Sequence, residues 1–194
     1  MERGELTREG HLIRTFPIAA KFHKREDGEQ PRIEGYFSVY NEVYEMLPGI
    51  SESIAPGAFQ DSLSADVRML INHDSTLVIG RTAAGTMELR DDNHGLWASA
   101  LVNPNDRAAM DEYARIERGD VTQASIGFEI IEEDAEYRDD GSVHFTIKRA
   151  KLWEVSPCTF PAYEKTNISA RKRDREELMK RRSDAWAEKL LRRL

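Results

Sequence analysis

Cysteine is almost absent from this chain of 194 residues, and the single Cys158 excludes an internal disulfide. His73 and Asp74 are adjacent, but no second histidine or cysteine stands near them at metal-ligand spacing, so we expect no zinc site and no other cofactor. The N-terminal region also lacks the apolar run that a signal peptide or a membrane span requires. These absences favour a protein of a reducing cytoplasm that works through its own side chains, without a membrane partner.

Basic residues are concentrated in the C-terminal segment. Residues 169–194 hold ten Lys and Arg against five Asp and Glu, a net +5, whereas the whole chain carries −7, which leaves −12 on the rest. Because an acidic body repels nucleic acid, we expect no nucleic-acid partner for it. Within the segment, every fourth position from 178 to 194 lies on one helical face, which predicts an amphipathic helix over 174–194; these residues are Leu178, Arg182, Trp186, Leu190 and Leu194. A solvated helix is its plainest interpretation, and docking on the acidic body or on a scaffold partner stays open.

Apolar residues that alternate with polar ones predict a mostly β protein. The predicted strands span residues 18–23, 32–40, 67–73, 86–90, 96–102, 121–131, 143–147 and 152–157. Turn-rich polar stretches predict hairpins between the first two strands, between 86–90 and 96–102, and at Asp139-Asp140-Gly141. The fold class is therefore α+β with antiparallel strands predominating.

One internal helix is well marked in the sequence. Asn103 can cap its start, Pro104 suits the first helical position, and Gly119 can adopt the left-handed conformation past its end, so we predict a helix over 105–118. A short helical turn is expected from Ala58 to Ser62. The long helix leads directly into the strand that begins near Val121.

A base and a nucleophile can be nominated from the strand pattern. His73 ends an apolar strand on whose face Val67, Met69 and Ile71 also lie. Ser125 alternates with the apolar Ile126, so it is expected to point away from the core and to be accessible to a peptide. A serine hydroxyl is a weak nucleophile that needs a base to accept its proton, and His73 is the candidate base.

Other residues compete for these roles. His11 and His23 lie in polar sequence, His94 lies in a predicted turn, and His144 is expected on a solvent-facing strand surface. Cys158 is a rival nucleophile, but its place at a strand end favours a small buried residue. An oxyanion could be stabilised by backbone N–H groups near Ser125, or by the cationic side chain of Arg81 or Arg149. Arg81 can equally be a structural ion-pair partner.

Seven short motifs follow one another in a distinctive order. They are Glu34-Gly35-Tyr36-Phe37, Ile54-Ala55-Pro56-Gly57-Ala58-Phe59, Asn72-His73-Asp74, Ile79-Gly80-Arg81, Ser125-Ile126-Gly127-Phe128, Leu152-Trp153-Glu154-Val155-Ser156-Pro157 and Phe160-Pro161-Ala162. From about residue 18 to about residue 169, the chain resembles the prohead maturation proteases of tailed bacteriophages. The resemblance implies a closed or nearly closed antiparallel β-barrel with peripheral helices, related in fold to the herpesvirus assemblin proteases.

The resemblance also implies a catalytic triad of His73, Ser125 and Glu154. Glu154 lies in the family-like strand, where a carboxylate would orient the imidazole. Pairing of Glu154 with Lys148 or Arg149 is the structural alternative. Assemblin proteases place a second histidine in this role, so the chain departs from them here.

The function implied by the resemblance is that of a serine endopeptidase of phage prohead maturation. It would cut scaffold protein, segments of the major capsid protein and itself, inside the procapsid that assembles in the host cytoplasm. The expected organisation is an N-terminal segment at 1–17, a protease domain at 18–168 and a basic tail at 169–194 that is removed by self-cleavage; a homodimer stays open. The alternative is a non-catalytic capsid-assembly module of the same fold.

Overall fold

The strands of this protein form two separate sheets. The computed structural model describes residues 12–19 and 30–160, and these residues hold ten strands and one α-helix. The strands are β1 Leu12–Ala19, β2 Arg32–Val39, β3 Tyr44–Leu47, β4 Ile50–Ile54, β5 Arg68–Ile71, β6 Asp74–Arg81, β7 Met87–Asp91, β8 Gly95–Leu101, β9 Gln123–Tyr137 and β10 Val143–Cys158; the helix α1 is Arg107–Arg118. The prediction of a mostly β fold with one internal helix is confirmed for this part of the chain.

The larger sheet has seven strands and is organised around β10. Its order is β1-β9-β10-β4-β3, with β5 pairing on β10 and β6 pairing on β5. β9 and β10 form the hairpin predicted at Gly141, but the two strands predicted at 143–147 and 152–157 are one strand with irregular register between them. β10 pairs in parallel with both β4 and β5, so the prediction of an antiparallel sheet is wrong at these two pairs.

The smaller sheet has the order β2-β8-β7. The predicted hairpin of β7 and β8 is confirmed, and Gly95 at its turn lets β2 approach, because a Cβ there would lie 2.0 Å from the carbonyl oxygen of Ser38. The hairpin predicted between strands 18–23 and 32–40 lies mostly outside the described residues; of the strands described, β1 pairs with β9 and β2 with β8. β1 also begins at Leu12, inside the predicted N-terminal segment.

The helix α1 starts two residues later than predicted. Its N-cap is Asp106, whose side chain accepts hydrogen bonds from the backbone N–H groups of Ala108 and Ala109. Asn103 instead accepts a bond from the N–H of Asn105, a local turn that precedes the helix. The predicted end is confirmed, since Gly119 adopts a left-handed φ of 88°.

Buried apolar side chains from both sheets and from α1 form one core. Phe59, just before the short 3-10 turn Gln60–Ser62, lies between Tyr40 and Phe128 with ring centroids 6.5 Å and 5.8 Å away. The described strands are not joined into one closed sheet, so the barrel stays a prediction. Within 12–19 and 30–160, no helix is long and apolar enough to cross a bilayer. The predicted C-terminal helix falls outside these residues.

Candidate active site

His73 lies in the tight turn that joins β5 to β6. Asn72 and His73 both have positive φ, 49° and 62°, as the two central residues of a type I′ hairpin turn require. Asparagine tolerates this conformation better than most residues. His73 therefore does not share a strand face with Val67 and Met69, as the sequence pattern predicted; the turn holds it beyond the end of β5.

The turn is fastened to the end of β10. The N–H of Asn72 donates to the carbonyl oxygen of Pro157 at 3.1 Å, and the side-chain oxygen of Asn72 accepts from the N–H of Thr159 at 2.9 Å. The N–H of His73 donates to Oγ of Ser156 at 3.2 Å. Two bonds thus join the turn to the strand that carries Glu154, and the third joins it to Thr159, just past the end of that strand.

Glu154 is paired with His73. Its Oε1 lies 2.7 Å from Nδ1 of His73, and the two side chains are only 12% and 19% exposed. The alternative partners bind other carboxylates: Lys148 lies 3.3 Å from Asp134, and Arg149 lies 3.9 Å from Asp61. The structural alternative for Glu154 is therefore wrong, and the carboxylate faces the candidate base.

Gly127 makes room for this carboxylate. Gly127 lies opposite Glu154 in the β9–β10 pair, and a Cβ at position 127 would lie 2.5 Å from Oε1 of Glu154. Real Cβ atoms do not approach this closely, so glycine is needed for the observed position of the carboxylate. The space that Gly127 leaves free on this face is occupied by the side chain of Glu154.

Ser125 lies on the same face of the sheet as Glu154. It pairs directly with Ser156, and residues opposite one another in an antiparallel pair project to the same side. Oγ of Ser156 in turn donates to Oε2 of Glu154 at 2.5 Å. However, Ser125 is 0% exposed, so the prediction of an accessible serine is wrong: this stretch of β9 is covered on both faces.

Cys158 is buried, as expected, but it also contacts the candidate base. Its Sγ lies 3.7 Å from Nε2 of His73. Sequence reasoning missed this contact and the hydrogen bonds of Ser156 with His73 and Glu154. The available signal was the period of two along β10, which places Glu154, Ser156 and Cys158 on one face.

The surroundings of His73 perturb its ionisation. Burial lowers the pKa of His73, but hydrogen bonds with Cys158 and Glu154 outweigh this effect and raise the pKa to about 10. A carboxylate at Nδ1 keeps that nitrogen protonated, which leaves Nε2 as the position that exchanges protons. At neutral pH the raised pKa keeps a proton on Nε2, so His73 can accept a proton only in the fraction of molecules that have lost it.

Two other candidates have structural partners. Arg81 makes two bonds to Asp66, at 2.7 Å and 2.6 Å, which is the ion-pair alternative that the sequence left open. His144 is buried between Ser51 and Ser53, with each hydroxyl 2.8 Å from a ring nitrogen. The prediction of a solvent-facing His144 is wrong, because its ring is buried against Ser51 and Ser53 of β4, the strand that pairs with this part of β10.

A comparison to known families agrees with the order of the sequence motifs. The sequence profile described as caudovirus prohead serine protease matches residues 19–181. The chain belongs to this family. The family predicted from the motif order is thereby confirmed.

One sequence relative and one solved structure show what this prohead protease family member is similar to. The prohead protease of Enterobacteria phage HK97 is 33% identical over 150 residues, which cover 75% of this chain and 62% of that protein, so the chain spans less than two thirds of its length. The structure of the capsid assembly protease of bacteriophage T4 is similar with a TM-score of 0.47 and 16% identity, over 78% of this chain and 98% of that chain. The family assignment rests on the sequence matches.

Proposed function

We propose that this chain is a serine endopeptidase that matures phage proheads by cutting scaffold protein and segments of the major capsid protein. Family membership supports the reaction class. The observation that carries the proposal is the 2.7 Å contact between Nδ1 of His73 and Oε1 of Glu154, in a site that is largely closed to water. A histidine held by a carboxylate in this way is the base half of a serine protease triad.

Ser125 is the nucleophile in this proposal. Its hydroxyl proton passes to Nε2 of His73 as Oγ attacks the scissile carbonyl carbon, and Glu154 stabilises the imidazolium that forms. The imidazolium then protonates the leaving amine, and water releases the acyl group by the same route. Arg81 is already bound to Asp66, which favours backbone N–H groups as the oxyanion donors. Because Ser125 is buried, a peptide reaches it only after the covering groups move.

The triad is tested by removing its members. We expect Ser125→Ala to abolish processing of a co-expressed capsid precursor on gels, and His73→Ala to be about as damaging, because triad members act as a unit. Glu154→Gln should retain more activity than Ser125→Ala, since Glu154 acts through His73. Ser62→Ala is the matched control, because Ser62 is a buried serine that bonds only backbone groups of residues 150 and 152.

A serine-reactive fluorophosphonate separates the protease from a non-catalytic assembly module, since only a base-activated serine reacts appreciably. Labelling of the parent protein that is lost in Ser125→Ala supports the proposal. Full capsid processing by Ser125→Ala would overturn the assignment of the nucleophile. Unchanged turnover per folded molecule of Glu154→Gln would remove Glu154 from the triad.

The organisation of the chain is part of the same proposal. A protease domain at 18–168, folded as a closed barrel, is followed by the basic segment 169–194, which contacts scaffold and is then removed by self-cleavage. The net +5 of this segment against the −12 of the remainder supports a separate role for it. The procapsid inside the host cell is the place of action.

A further inference from the structure

Ser156 is a fully buried serine on β10 whose hydroxyl bonds to both His73 and Glu154. Its Oγ accepts a hydrogen bond from the backbone N–H of His73 at 3.2 Å and donates one to Oε2 of Glu154 at 2.5 Å. The other oxygen of Glu154 meets Nδ1 of His73. A closed ring of bonds therefore runs from the backbone of His73 through Ser156 and Glu154 to the His73 ring.

Ser156 is not a second nucleophile. Its proton is directed to a carboxylate oxygen, and its oxygen accepts from a backbone N–H, so neither is offered to Nε2 of His73. Ser125 stands directly opposite it on β9. The two serines thus occupy one cross-strand pair with different partners.

Each hydrogen bond of Ser156 restricts one movement, either of the Glu154 carboxylate or of the turn that carries His73. The bond to Oε2 fixes the rotation of the Glu154 carboxylate, so that Oε1 stays directed at Nδ1. The bond from the N–H of His73 helps to hold the β5–β6 turn. In this turn Asn72 and His73 both have positive φ, although neither is a glycine. Both effects act on the orientation of the imidazole.

We propose that Ser156 is a positioning residue that holds the His73 ring and the Glu154 carboxylate in register for proton transfer. This inference rests on the proposed function and adds a fourth residue to the same site. Hydroxyl bonds to charged groups are among the stronger hydrogen bonds of proteins, and their loss leaves a buried carboxylate oxygen without its donor. Ser156 therefore matters for the rate of proton transfer more than for substrate binding.

The test compares Ser156→Ala with Ser62→Ala in the purified full chain. Both variants lose one buried hydroxyl that bonds near β10, but Ser62 contacts only backbone groups of that strand. We expect the second-order rate of fluorophosphonate labelling to fall about 10- to 100-fold in Ser156→Ala and to change less than about twofold per folded molecule in Ser62→Ala. Ser125→Ala is the unlabelled reference.

A spectroscopic readout tests positioning without reference to catalysis. The ring proton signal of His73, assigned by its loss in His73→Gln, is followed by NMR across pH. We expect its titration midpoint to fall in Ser156→Ala, because the carboxylate is held less well against Nδ1, and to stay in place in Ser62→Ala. If Ser156→Ala does not fold, Ser156→Cys keeps the volume with a much weaker donor and should behave as expected for the alanine variant.

These experiments distinguish failure of the inference about Ser156 from failure of the proposed protease function. If the parent protein is not labelled, or Ser125→Ala is labelled equally, the protease assignment fails, and the His73 midpoint still decides the role of Ser156. A midpoint that does not move in the Ser156 variant overturns the inference. So does labelling of Ser156→Ala at the parent rate while Ser125→Ala is inert.

Discussion

Glu154 occupies space that any side chain at position 127 would fill. A Cβ at Gly127 would meet Oε1 at 2.5 Å and the two preceding side-chain carbons of Glu154 at 3.1 Å and 3.2 Å. The oxygen that would be displaced is the one that contacts Nδ1 of His73. Gly127 thus influences His73 indirectly, because it leaves room for the Glu154 carboxylate that contacts the His73 ring.

The first prediction concerns Gly127→Ala. We expect it to slow fluorophosphonate labelling by about 10²-fold, because displacement of a catalytic group by roughly 1 Å costs a factor of this order. The matched control is the same change in a Glu154→Ala background, where the clash is gone and the added methyl should have little further effect. Additive losses in the double variant would contradict this explanation.

The second prediction concerns Cys158→Ala. His73 accepts a proton only when it is neutral, so its raised pKa, about 10, means that activity falls as the pH drops through the alkaline range. Cys158 raises this pKa through its hydrogen bond to the ring, so its removal should lower the pKa and extend activity to lower pH. The pH profile of the labelling rate measures the shift. Identical profiles would contradict a role of the thiol in the ionisation of His73.

At the scale of the elements, the start of α1 offers a direct comparison of two capping candidates. The side chain of Asp106 accepts bonds from two backbone N–H groups of the first helical turn, whereas the side chain of Asn103 accepts one from the N–H of Asn105, before the helix begins. We expect Asp106→Ala to lower the free energy of unfolding by about 1 kcal/mol, and Asn103→Ala to lower it by much less. Denaturant unfolding of both variants provides the measurement. Equal losses would mean that Asn103 also stabilises the start of the helix.

Elements with local signals were predictable from the sequence. The β7–β8 hairpin, the turn at Gly141 and the end of α1 at Gly119 are set by residues within a few positions of each feature, so short windows of sequence contain the cause. The helix start was misplaced because Asn103 and Asp106 both favour capping. The choice between them depends on the path of the chain before the helix.

Elements whose partners are distant in sequence were not predictable. β1 pairs with β9, and β4 lies parallel to β10, with Ser51 and Ser53 against the ring of His144. Ser125 and His144 are both buried, and the residues paired with them lie in strands that are distant in sequence. The site follows the same rule. His73, Ser125 and Glu154 could be nominated from motifs, whereas the contacts of Ser156 and Cys158 depend on which strand end the β5–β6 turn meets.

At the scale of the whole molecule, the proposed function includes removal of the basic segment 169–194 by self-cleavage. Residues 169–175 contain five charged residues and, apart from Ala170, no apolar one, a composition typical of an accessible junction. We expect the active protein to cut itself there and to lose a fragment containing Trp186. Intact-mass spectrometry after long incubation should show a shortened protein, with Ser125→Ala as the full-length control. A full-length mass for both proteins would contradict self-processing.

Strand β10 supplies Glu154 and Ser156, and the strands that pair with it, β4, β5 and β9, all come earlier in the chain. His73 and Ser125 are therefore synthesised before β10, the central strand of their sheet. Until β10 emerges, β4 and β5 have no common partner, and the histidine has no carboxylate. Under the proposed function, newly made chains are accordingly expected to stay inert during translation and to become active only after β10 has been synthesised.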